Sequence, residues 1–198
     1  MQPAPSRAAD TLIAWLERFE LHELKNEKDT SLVDDVLMEI SQRADQARRR
    51  AEWNPALRHS QLALERARER SRRIKKTDAA AKKTAIYSEA VVRFYAGALR
   101  LALNDTDAAL SHFRSSAKKF GDLERHRAMS IACAAVGIAQ AGCREWAAAL
   151  EAYGQSLALI DQIESPDSSL KELRKQIVQT VPMILDCYEQ EARPDHIR

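Results

Sequence analysis

The chain has 198 residues, a net charge of +2, 45% hydrophobic residues and only 6% aromatic ones. That length fits one domain or a short helical array. Five glycines and six prolines supply few turns for strands, and 30% charged residues suit long solvated helix faces, so composition predicts an all-α chain.

The N-terminal stretch Met1 to Arg7 has no apolar segment followed by a small-residue cleavage site, so no secretory leader is expected. From Ala8 to about Glu20 the pattern predicts an amphipathic helix, with Leu12, Trp15, Leu16 and Phe19 on one face. After a polar connector, Ser31 is placed to cap a second helix reaching about Glu52. Asn54-Pro55 predicts a restart, with Asn as the cap, and a helix to about Lys76. Thr77-Asp78 begins another that runs through Leu103, and Asn104-Asp105 breaks it before a helix from Thr106 to Phe120. Gly121 and Gly142 are expected to make the next two turns, giving helices from Asp122 to Ala141 and from about Arg144 to Ile163. Ser165-Pro166-Asp167 opens the last, eighth helix, in which Pro182 predicts a kink or an early end. No apolar run, Ile131 to Ala135 included, approaches the roughly 18 residues of a membrane span.

Three of these helices carry related residues. Ala149-Leu150 is followed by Tyr153 and Ser156, Ala109-Leu110 by Phe113 and Ser116, and Ala56-Leu57 by Ser60 and Ala63. A small residue lies twelve positions before each pair, at Gly137, Gly97 and Ala44. Small residues let two helices of a hairpin approach, and the ring one turn later fills the space between hairpins.

In these positions the chain resembles the tetratricopeptide repeat family, as a long-helix variant with a repeat of about 40 residues. The first copy departs most, and Arg93, Arg100, Cys133 and Gln140 stand where the family prefers large aromatic side chains. The resemblance implies antiparallel hairpins stacked as a short right-handed solenoid, lined on its inner side by Phe94, Ala98, Leu101, Ile131, Ala134 and Ile138. It implies division into an N-terminal segment (1–30), a repeat domain (31–163) and a C-terminal capping helix with its tail (164–198). The function it implies is that of a non-catalytic adaptor or scaffold, with a protein or peptide as partner. The amphipathic N-terminal helix is expected either to cover that groove, in its own chain or in a second copy, or to cap the stack.

Charge offers a second reading. Residues 10–39 hold nine acidic and three basic side chains, whereas residues 43–76 hold twelve basic and four acidic ones. Arg48, Arg49, Arg66, Arg70 and Arg73 lie in this basic block, a candidate face for nucleic acid or another polyanion. Only Trp53 interleaves it, which offers little base stacking, and the acidic block is large enough to neutralise it. A solvated or internally paired face is therefore preferred.

Nothing in the sequence specifies a reaction, and no catalytic residue, metal or cofactor is expected. The five histidines lack partners at ligand spacing. Cys143, beside Arg144, has a neighbour that lowers a thiol pKa, but no base lies near it in sequence. Three cysteines without paired spacing fit a reducing, cytoplasmic setting.

Overall fold

Six helices account for most of the residues that the computed structural model describes, which are 10–14, 42–43, 45–74 and 78–192. They are α1 (Trp53–Arg73), α2 (Ala79–Ala102), α3 (Thr106–Asp122), α4 (His126–Gly142), α5 (Trp146–Asp161) and α6 (Ser168–Ala192). Shorter helical stretches lie at 10–14, 42–43 and 45–49, and no strand occurs among the described residues. The chain is all-α. Trp15, Leu16, Phe19, Ser31, Ala44, Lys75, Lys76 and Thr77 lie outside the described residues.

Aspartates open three helices. Asp78 accepts from the Ala81 N–H at 3.0 Å, Asp105 from Ala108 at 3.4 Å and Asp167 from Leu170 at 2.9 Å, each satisfying a donor with no intrahelical partner. Asn54 is not a cap: α1 starts at Trp53, so Asn54-Pro55 forms part of its first turn. Nor does Pro182 end its helix, since α6 continues to Ala192. Pro182 is exposed, where water can hydrate the carbonyl its missing N–H leaves unbonded.

The turn at Asn104-Asp105 falls where the sequence places it, but the next two differ from those expected. Three connections, 103–105, 123–125 and 143–145, share one backbone form with a left-handed middle residue: Asn104 at φ 60°, Glu124 at 56° and Arg144 at 62°. In each, the next residue donates back to a carbonyl in the preceding helix: Asp105 to Arg100, Arg125 to Phe120 and Glu145 to Gln140. Gly121 and Gly142 do not make these turns; both lie in the last turn of a helix. The backbone hydrogen bonds of the turn override the glycine preference.

Each helix packs along the next in sequence, and α4 also meets α6. Connections of three residues make such neighbours antiparallel. Two contacts recur forty residues apart. A Cβ built on Gly97 would stand 2.7 Å from the Phe113 ring, and one on Gly137 would stand 2.9 Å from the Tyr153 ring. Ser116 Oγ donates to the Ala90 carbonyl at 2.8 Å, and Ser156 Oγ to the Ser130 carbonyl at 2.8 Å. In the earliest copy Ser60 replaces the ring, and its hydroxyl is buried without a partner among the described residues.

Candidate interaction surfaces

The six side chains expected to line a groove are mostly inside the protein. Phe94, Ala98, Leu101, Ile131 and Ala134 are buried, and Ile138 is partly buried against the same core. Phe94 and Ala98 are small or ring-bearing members of the α2 face that carries Gly97, and the Phe94 and Phe113 rings meet with centroids 5.3 Å apart and planes tilted by 54°. Leu12 and Ile13, from the described turn of the N-terminal segment, belong to the same apolar cluster and are fully buried. Asp10, two residues before Leu12, accepts from Arg48 Nη1 at 2.8 Å. Residues 10–14 are therefore an integral part of the core.

That ion pair also bears on the basic block. Arg48 is shared between Asp10 and Asp45, and Arg49 bonds the other Asp45 oxygen at 2.6 Å. Burial works against the Arg48 charge, yet its bonds to Asp45 and Asp10 hold the guanidinium pKa above its ordinary value. Arg66 and Arg73 both pair with Glu69, one turn away on α1. Arg70 keeps its Nη1 buried without a partner among the described residues. The structure thus brings Arg48 and Arg49 together on Asp45, separates them from Arg66 and Arg73, and pairs four of the five with carboxylates of the same chain.

A polar node missed in the sequence ties three helices together. Glu89 of α2 is 6% exposed and receives Arg93 of its own helix at 2.8 Å and Lys119 of α3 at 2.9 Å, with Arg68 of α1 at 3.7 Å. Burial alone raises a carboxyl pKa; here Lys119 and Arg93 outweigh it and hold Glu89 below the usual value. His112 of α3 lies beside this node, its Cβ 3.2 Å from a Cβ built on Gly97. Burial, then the charges of Arg93, Arg100 and Arg68, push its pKa down. The only sequence signal for the node is the Glu89–Arg93 spacing of four.

Cys143 does not have an activated thiol. Burial, Glu145 and Asp107 raise its pKa, while the side chain of Arg144 reaches toward Glu191 instead, at 3.8 Å. Cys133 is buried and its thiol is pushed up to about 11 by burial. No group of three or more His, Cys, Asp or Glu among the described residues is placed to hold a metal ion. No helix among the described residues is long and apolar enough to cross a membrane.

One shallow cleft of about 440 Å³ lies where the end of α6 meets the start of α5, lined by Arg144, Trp146, Ala148, Tyr188, Glu191 and Ala192. Its lining is apolar apart from the charged rim, and it brings together no set of reactive groups. No family model matches the chain, and no curated protein or solved structure matches it either.

Proposed function

We propose that this chain is a non-catalytic interaction module, a short stack of tetratricopeptide-like hairpins that recognises a protein or peptide helix. The observation that carries the reading is the recurrence, forty residues apart, of the Gly97–Phe113 and Gly137–Tyr153 approaches with their Ser116 and Ser156 hydrogen bonds. Repeated hairpins stack by presenting equivalent faces to each other, and such stacks offer extended surfaces to partners. The burial of Leu12 and Ile13 in the cluster that holds Phe94, Ala98 and Leu101 supports a helix-in-groove mode. In this reading the N-terminal helix fills the place a partner helix would take.

Binding in trans tests it. A synthetic peptide of residues 8–20 should bind the chain lacking residues 1–28, and should bind the full chain far more weakly. A peptide carrying Leu12→Asp and Ile13→Asp should not bind. If the truncated chain keeps its helical circular dichroism but does not take up the wild-type peptide, the groove reading fails and the segment is an end cap. The polyanion reading has less behind it, because Arg48, Arg49, Arg66 and Arg73 are already matched by carboxylates. It requires affinity for DNA or RNA that falls steeply with salt.

A further inference from the structure

Helix α6 carries two apolar faces, and the fold uses one. Leu170, Leu173, Ile177 and Ile184 are buried against the rest of the protein. A second stripe, Val178, Val181, Leu185, Tyr188 and Ala192, recurs at spacings of three and four, roughly 60° further round the helix. Val178, Leu185 and Tyr188 are 48%, 41% and 44% exposed, and Val181 is partly buried at the inner edge of the stripe. This alternation of three and four is the spacing that the seam of a helix pair uses.

Charge is ordered along the same helix. Lys171, Arg174 and Lys175 precede the stripe, with Glu172 among them on the opposite side of the helix, while Asp186, Glu189 and Glu191 follow in its far half. Two copies laid parallel would set like charges side by side. Laid antiparallel, with a two-fold axis beside Val181, they set Val178 of one copy against Leu185 of the other, so that the apolar contact runs from Val178 to Leu185 and Tyr188 lies over the stems of Arg174 and Lys175. Lys171 and Arg174 then lie near Glu189 and Glu191, and Lys175 lies beside Asp186. The surface is complementary to its own reverse, which is what an isologous interface requires. Among the described residues Arg174 and Glu191 make exposed pairs, with Asp161 at 3.0 Å and Arg144 at 3.8 Å, and such pairs are worth little.

We infer that α6 is a self-association surface through which two copies of this chain pair antiparallel as a symmetric dimer. A single helix pair buries less than a standard interface, so the dimer dissociates in the micromolar range.

Analytical ultracentrifugation of the full chain over a dilution series tests this. Wild-type protein should pass from monomer to dimer as concentration rises. Leu185→Asp, at an exposed position outside the core, should keep the wild-type circular dichroism and stay monomeric throughout. Lys175→Glu or Asp186→Lys alone should weaken the dimer by roughly tenfold, because each reversal acts twice across the axis. The two together should restore it, since each copy then presents the swapped pair. A chain that is monomeric at every concentration overturns the proposal and gives the stripe to a different partner. A dimer indifferent to Leu185→Asp overturns it and puts the interface elsewhere, with the N-terminal helix the next surface to test. A double variant no better than the singles also overturns it.

Discussion

Gly137 and Tyr153 meet so closely that a methyl group on the glycine would stand 2.9 Å from the ring, closer than side-chain carbons pack. Gly97 and Phe113 repeat the relationship at 2.7 Å. Both rings are buried, Phe113 fully and Tyr153 at 3% exposure, so neither can swing clear into solvent. Gly137→Ala and Gly97→Ala should each destabilise the protein by about 1–3 kcal/mol in chemical denaturation, from overpacking a helix crossing. Gly154 is the control. It lies mid-helix with open space where its Cβ would be, so Gly154→Ala should stabilise by about 1 kcal/mol.

The turn between α3 and α4 places Glu124 at φ 56°, a conformation that costs a side chain roughly 1–2 kcal/mol relative to the right-handed one. Glycine removes that cost but loses more entropy on folding. Glu124→Gly should therefore gain about 0.5–1 kcal/mol in a urea melt. A loss of stability would mean that the side chain contributes a contact outweighing the strain.

Glu89 holds α1, α2 and α3 together by serving three cations from one buried carboxylate. Glu89→Gln keeps the shape and leaves Arg93 and Lys119 without a counter-charge. The expected cost is on the order of 3 kcal/mol, measured by chemical denaturation at neutral pH. A change below about 0.5 kcal/mol would show that the node is solvated enough to dispense with its anion.

His112 should make stability depend on pH well above the carboxylate range. Its folded pKa lies below the ordinary 6.5, so the unfolded chain takes up a proton first as the solution is acidified. Its contribution is complete above the unfolded value and is lost as pH falls from 6.5 toward the folded pKa. Glu89, also lowered, loses its contribution only at lower pH, as the solution falls below 4.5 and through its folded pKa. Thermal melts between pH 7.5 and 5 should thus show a decline that His112→Gln reduces. An identical decline in the variant would assign the effect to other groups.

Much of the helical layout follows from local chemistry. Asp78, Asp105 and Asp167 bond to the first free N–H groups of the helices they precede, and such capping needs no distant partner. The spacing of Gly97 to Phe113 and of Gly137 to Tyr153 is legible in the sequence, but it points to a ring between hairpins, whereas each ring lies against the glycine itself. Two of the turns were not legible. Gly121 and Gly142 look like turn residues in isolation, but the backbone hydrogen bonds closing each helix put Glu124 and Arg144 at positive φ instead.

Local pattern therefore determined that the chain is helical, where most helices begin, and that small residues recur at a fixed distance from rings in two of the hairpins. Only tertiary structure decided what those faces meet. Periodicity marks Phe94, Ala98 and Leu101 as apolar but does not say that Leu12 and Ile13 share their core. Counting charges shows an acidic and a basic block, but the match of Asp10 to Arg48 spans 38 positions and exists only once the chain has folded back. Glu89 looks like one acid among many until three helices bring Arg68, Arg93 and Lys119 to it. The physical reason is common to all three: a local preference acts within a few residues, whereas burial and charge pairing depend on which distant segments come to share a space.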